Sequence, residues 1–120
     1  MGPHPDAHLI EHRVDSITQL DGGFLTVKLD TVGLPDGRQA TRQYIQHPGA
    51  VAVLPILDDG RIVMVRQYRY AVGKVLIEVP AGKLDAHESV LDCGRRELLE
   101  ETGYTATEWA RAGVFHNAAA

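Results

Sequence analysis

Three clusters of turn-forming residues, Asp21-Gly22-Gly23, Leu34-Pro35-Asp36-Gly37 and Asp58-Asp59-Gly60, cut the N-terminal part of this chain into runs that suit strands and little else. Glycine supplies backbone angles closed to other residues, proline fixes φ, and aspartate bonds back to nearby amides, so such clusters reverse the chain. The runs before, between and after the first two clusters, at 14–20, 24–32 and 39–47, carry β-branched and aromatic residues and predict an antiparallel meander. Runs 51–57 and 61–68 flank Asp58-Asp59-Gly60, a strong hairpin signal. The near-continuous apolar character of 51–57 predicts a strand covered on both faces. A further short strand is expected at 75–79, closed by Pro80-Ala81-Gly82. Only then does helical spacing begin, around 88–102, ended by Gly103 where a left-handed residue is favoured. Residues 112–115 predict one more strand before Ala118-Ala119-Ala120, and the proline- and glycine-bearing residues 1–7 predict a loose tail.

Composition narrows the class. A chain of 120 residues with 44% hydrophobic and 23% charged residues matches a globular domain and excludes wholesale disorder. Twelve Lys and Arg against sixteen Asp and Glu give a formal charge of −4, which argues against a nucleic-acid partner, since that needs a basic field. The single cysteine, Cys93, excludes an internal disulfide and a Cys-rich zinc site and fits a reducing compartment. No apolar run reaches the roughly 18 residues of a membrane span, and the N-terminus lacks the basic and apolar regions of a secretory signal. The expectation is a soluble cytoplasmic protein.

Chemistry concentrates on the helix. At roughly 100° per residue, Glu101 lies about 40° to one side of Glu97 and Glu100 about 60° to the other, so all three fit an arc of about 100°. Like charges at this spacing repel unless neutralised. A hard divalent cation would do so, because Mg²⁺ prefers carboxylate oxygens and keeps waters that a phosphate can displace. The alternative is a solvated acidic face with Arg96 paired to Glu100 at i,i+4. Leu91, Gly94 and Leu98 form an adjoining stripe expected to face a core, which would set the glutamates at the margin of a cleft. Gly94, costly inside a helix, fits close packing of helix on sheet.

Gly82, five residues, Glu88, seven residues, then Arg96-Glu97-Leu98-Leu99-Glu100-Glu101-Thr102-Gly103-Tyr104 resembles the complete Nudix box, a loop–helix–loop of hydrolases that act on nucleoside diphosphates linked to another moiety. Seven fixed identities at set spacing arise by chance on the order of once in a billion starting positions. Further stretches, His47-Pro48-Gly49-Ala50-Val51-Ala52-Val53-Leu54, Val65-Arg66-Gln67-Tyr68-Arg69 and Glu78-Val79-Pro80-Ala81-Gly82, are similar to the ADP-ribose pyrophosphatase branch.

That resemblance implies an α+β fold: a Nudix-type mixed β-sheet packed against helices (an α/β/α sandwich), preceded by an N-terminal antiparallel strand region. On this reading residues 8–47 form the strand region and 48–120 the Nudix domain, with its box at 82–104. It implies Mg²⁺ or Mn²⁺ held by Glu97, Glu100, Glu101 and the carbonyl of Ala81, with the same glutamates as catalytic groups. Glu88 and Arg96 would form a structural ion pair, and Gly82 and Gly103 would serve tight turns. Arg69 would contact substrate, and Arg42 would reach it from the partner of a homodimer built through the N-terminal strands. The implied reaction is hydrolysis of ADP-ribose to AMP and ribose 5-phosphate. Other sugar nucleotides, dinucleotides or a non-catalytic sensor of ADP-ribose-like ligands are the alternatives.

The match to the branch is incomplete. No acidic residue follows Glu108, so the downstream glutamate that serves the branch as general base has no counterpart, and Pro80 is the last proline. The C-terminal part of the fold is therefore expected to be missing, leaving Glu100 or Glu97 as local bases. An inert fragment is the remaining alternative. Other residues read as structural: Cys93 as a small core residue, Arg66 as a strand residue, Trp109 as packing or a base-stacking face. His47, His87 and His116 have no zinc-ligand spacing.

Overall fold

The computed structural model describes residue 2 and residues 4–117, so Met1 and Pro3 of the expected tail and Ala118-Ala119-Ala120 lie outside the described residues. The chain divides into two units, Met1–Pro48 and Gly49–Ala120. Its class is α+β. No helix among the described residues is long and apolar enough to cross a membrane.

In the first unit a 3-10 turn, Ala7–Leu9, precedes three antiparallel strands, β1 (His12–Asp21), β2 (Thr26–Gly33) and β3 (Gln39–Gln46), in the order β1-β2-β3. The turns use the anticipated chemistry. Gly23 and Gly37 take left-handed φ values of 89° and 88°, and the Asp21 and Asp36 carboxylates accept from the amides two residues on. Register sorts the side chains. Ile17 opposite Leu29 and Leu20 opposite Val27, itself opposite Ile45, give one apolar face, while Ser16, Asp30 and Arg42 line the other.

On that polar face Asp30 is buried, and it accepts from Ser16 Oγ at 2.6 Å, Tyr44 Oη at 2.9 Å and Arg13 Nε at 3.1 Å. These bonds, the Ser16 hydroxyl first, hold its carboxyl below the usual range against the opposing effect of desolvation.

In the second unit β4 (Ala50–Ala52) pairs antiparallel with β7 (Ala81–Lys83), and Val53 N–H to Pro80 O at 2.8 Å extends that pairing. Between them in sequence lies the hairpin β5 (Val65–Arg69) and β6 (Lys74–Glu78). The Asp58-Asp59-Gly60 reversal is present, with Leu57 N–H on Arg61 O at 2.8 Å, Val63 N–H on Pro55 O at 3.0 Å and a bridge between Ile56 and Ile62.

Strand expectations change at several points: the run 61–68 gives only its last four residues to β5, and Ala81 and Gly82, expected to close a strand, lie in β7. The run 51–57 is neither one strand nor covered on both faces: it is β4 plus a bridge, and burial alternates, with Val53 buried while Leu54 and Ile56 are exposed. Pro55 has no N–H to carry the ladder through, and only β7 pairs with β4 among the described residues. Residues 112–115 form no strand, and Val114 and Phe115 are exposed, with no strand pairing with them among the described residues.

The helix α1 (Val90–Thr102) begins two residues later than anticipated. Ser89 is the N-cap, its hydroxyl accepting from Asp92 N–H at 3.1 Å, and Gly103 ends the helix at φ 76° with its N–H on Leu99 O at 2.9 Å. The helix buries Cys93, Gly94, Glu97 and Leu98. Leu91, expected in this stripe, is exposed; the packed face is set by Gly94 and runs through Cys93 and Glu97 instead. A Cβ on Gly94 would lie 3.3 Å from the Trp109 ring, 3.5 Å from Val53 and 3.7 Å from Val51. Trp109 is thereby a packing residue, with its indole N–H on Ala106 O at 3.2 Å.

Gly94→Leu should overfill this contact and lower the unfolding free energy by about 1–3 kcal/mol. Leu91→Ala should change it by no more than about 0.5 kcal/mol. Urea melts followed by circular dichroism check both.

Candidate active site

Strand β7 and helix α1 bring the box residues together. Gly82 lies mid-strand opposite Val51, with a φ outside the left-handed region, so it does not serve the tight turn that the sequence suggests. What it supplies is room: the Glu97 carboxylate occupies the space a Cβ on Gly82 would need. Glu97 is 9% exposed, which for an ionised side chain demands a partner.

Arg96 is that partner and several others. Its Nε and Nη2 take the two Glu88 oxygens at 2.8 and 2.9 Å, a fork-to-fork pair. Its Nη1 donates to Glu97 Oε1 at 2.8 Å and to Glu100 Oε2 at 3.4 Å. Nη2 also reaches the Lys83 carbonyl at 3.3 Å and stands 3.6 Å from Asp85. Glu88 is not on the helix, although the spacing predicts a helix from about residue 88. It sits before the N-cap, joined to Asp85 through its own N–H and by accepting from Asp85 N–H at 3.1 Å. The Arg96 fork, with the Asp85 amide second, holds the Glu88 carboxyl down at about 2, and Glu88 in turn raises Arg96. Cys93, fully buried one turn earlier, faces the Gly82 and Lys83 carbonyls, and burial pushes its thiol up to about 11.

Glu100 and Glu101 lie on the same turn but make different contacts. The Glu100 carboxylate is largely exposed beyond its long bond to Arg96. Glu101 accepts from Ala81 N–H at 3.3 Å, which sets the Ala81 backbone beside that carboxylate. Glu101 also borders a shallow cavity of about 220 Å³ whose other walls are Val65, Arg66 and Gln67 of β5. Arg66, read from sequence as a plain strand residue, is therefore a wall of the cavity. Only the cavity it shares with Glu101 reveals this, and no local pattern carried it.

Arg69 ends β5 and lies on Glu78 of β6, with Nε at 2.8 Å and Nη2 at 2.5 Å; that carboxylate chiefly raises its pKa, and Glu101 adds a smaller electrostatic contribution. Arg42, in the other unit, forks onto Glu11 at 3.1 and 2.6 Å.

The donors suit a hard divalent ion. Glu97, Glu100, Glu101 and the Ala81 carbonyl are all oxygen ligands, the set Mg²⁺ selects. Among the described residues, however, no three acidic, histidine or cysteine side chains already converge to hold a metal ion, and Arg96 occupies Glu97 and Glu100.

Fold and site together define an α+β domain built around an acidic helix set on a short strand. The NUDIX domain model matches residues 46–120, and the chain belongs to the Nudix family. It is 41% identical over 95 residues to the ADP-ribose pyrophosphatase of Bacillus subtilis (strain 168), covering 79% of this chain and 51% of that protein. It is also 41% identical over 104 residues to the methanol dehydrogenase activator of Bacillus methanolicus, covering 84% of this chain and 56% of the relative. The crystal structure of an ADP compounds hydrolase superposes with a TM-score of 0.69 at 25% identity, over 82% of this chain and 54% of that one. The chain spans about half the length of the curated relatives it matches.

Because the folded Glu88 carboxyl lies at about 2 and its ordinary value is 4.5, its pairing stabilises the fold fully above about pH 4.5 and fades as pH falls toward 2. Thermal melts should show the unmodified chain losing more of its midpoint between pH 5 and pH 2.5 than Glu88→Gln, which should start lower at pH 7.

Proposed function

We propose that this chain carries the metal-binding core of a Mg²⁺-dependent hydrolase that splits the diphosphate of ADP-ribose into AMP and ribose 5-phosphate. The observation that carries the reading is the turn Glu97, Glu100 and Glu101 set against the Ala81–Gly82 backbone. The similarity to an ADP-ribose pyrophosphatase supports the substrate. Glu97, Glu100, Glu101 and the Ala81 carbonyl would hold Mg²⁺ or Mn²⁺. Such an ion, when bound, neutralises diphosphate charge and acidifies water.

The rest falls to the protein's own groups. The Arg69 guanidinium, presented beside β6, matches phosphate oxygens with two parallel donors once it exchanges Glu78 for substrate. Arg66, on the cavity wall next to Glu101, adds positive charge where the diphosphate would lie. Glu100, the more exposed of the two local bases, takes the proton of the attacking water. The water oxygen then forms the new P–O bond as the bridging P–O bond breaks, leaving two monoesters. Glu88, Arg96, Gly82 and Gly103 are scaffold to this chemistry.

The same reading makes the protein a cytoplasmic homodimer that joins through the N-terminal strands. Ile17, Leu20 and Ile45, exposed on one face of the meander, support it. Arg42 would then reach the site of the partner subunit.

Glu101→Gln should cut Mg²⁺-dependent release of phosphate monoester from ADP-ribose by about 100-fold or more while leaving the circular dichroism spectrum unchanged. Assay across ADP-ribose, sugar nucleotides and dinucleotides, with and without chelator, checks this. Full activity in the variant would remove Glu101 from the metal site. Binding of ADP-ribose without turnover by the unmodified chain would favour a sensor.

A further inference from the structure

We infer that Gly82 is a positioning residue for Glu97: its bare Cα is the seat of that carboxylate, and any side chain at position 82 displaces it. The inference rests on the proposed metal site for its consequence, though not for its geometry.

Glycine is not needed at position 82 for its backbone freedom. The glycines with left-handed φ are Gly23, Gly37, Gly49, Gly60, Gly73, Gly103 and, at a φ of 155°, Gly113; Gly82 is absent from that set. Nor can its backbone slide to make space. Ala81, Gly82 and Lys83 are paired in turn with Ala52, Val51 and Ala50, and the next amides on either side are tied to Pro80 O and Gly49 O.

What remains is the missing side chain. A Cβ built there overlaps Cδ and both oxygens of Glu97. The same carboxylate is held on its other side by Arg96 Nη1 at 2.8 Å and is nearly excluded from solvent. It is clamped between a guanidinium and a bare backbone, and only one position satisfies both.

The two glycines, Gly82 on β7 and Gly94 on α1, therefore differ in what a substitution would disturb. At Gly94 the obstructing groups are the Trp109 ring, Val51 and the buried Val53, so added bulk acts on stability. At Gly82 they are the far end of a flexible side chain, which can swing aside and leave the fold standing. The loss then falls on where Glu97 presents its oxygens, and a metal ligand tolerates little misplacement.

The test uses Mn²⁺ alone as probe, titrated into the unmodified 120-residue chain and its variants and read by the free-ion electron paramagnetic resonance signal. Gly82→Ala should bind Mn²⁺ about 10-fold or more weakly with a urea midpoint close to that of the unmodified chain. A metal-free crystal structure of that variant should show the Glu97 carboxylate off Arg96. Glu97→Asp, one methylene shorter, should weaken binding on its own but weaken it less, or not at all, in the Gly82→Ala background.

Unchanged Mn²⁺ binding by Gly82→Ala, or a metal-free structure with Glu97 still on Arg96, would overturn the inference. So would unfolding of Gly82→Ala that the Glu97→Asp change does not relieve. If the unmodified chain binds no Mn²⁺, the proposed function falls instead, and the metal-free structure alone decides the role of Gly82.

Discussion

One guanidinium organises the second unit. Arg96 stands at the meeting point of the helix, the loop before its N-cap and the end of β7, and through its five donors it holds Glu88, Glu97, Glu100 and the Lys83 carbonyl, with Asp85 close by. A lysine could not do this, because a single ammonium lacks the planar fork that takes both Glu88 oxygens while a third nitrogen faces the helix turn. Without Arg96, several carboxylates would crowd a few ångströms of partly buried surface with no counter-charge. The arginine thus answers two demands at once: it closes the loop over the helix start, and it makes an acidic site compatible with a folded protein.

The arrangement also separates tasks among chemically identical side chains. Glu88 spends both oxygens on Arg96 and is fixed. Glu97 is shared between Arg96 and the open Cα of Gly82. Glu101 leans on the Ala81 amide and borders the cavity toward β5, and Glu100 faces water. Four glutamates of one motif therefore run from wholly structural to largely exposed, and burial and hydrogen bonding alone set the gradation.

Much of this was legible in the sequence where the information is local. Turn residues marked the three reversals, Gly103 marked the end of the helix, and the spacing of the box named the residues that meet at β7. The meander of the first unit followed from its punctuation. What escaped depended on partners distant in sequence. Nothing within 51–57 tells that only β7 would pair with it or that Leu54 and Ile56 would face out. Arg66 reads like any strand cation until the hairpin is set beside Glu101. The reason for Gly82 was misread for a related cause: glycine serves either conformation or space, and only a neighbouring side chain, here fifteen positions away, tells which. Leu91 was misassigned because helical spacing alone fixes a face, while the depth of packing is set by Gly94.

Cys93 sits under the Gly82 and Lys83 carbonyls with no solvent contact, its thiol driven toward the neutral form. Oxidants and alkylating reagents attack thiolates, so in the closed state this sulfur is chemically silent. Any modification must wait for the helix to lift from β7. The lone cysteine is in that sense an internal clock: its rate of labelling counts how often the acidic helix parts from the strand that seats it.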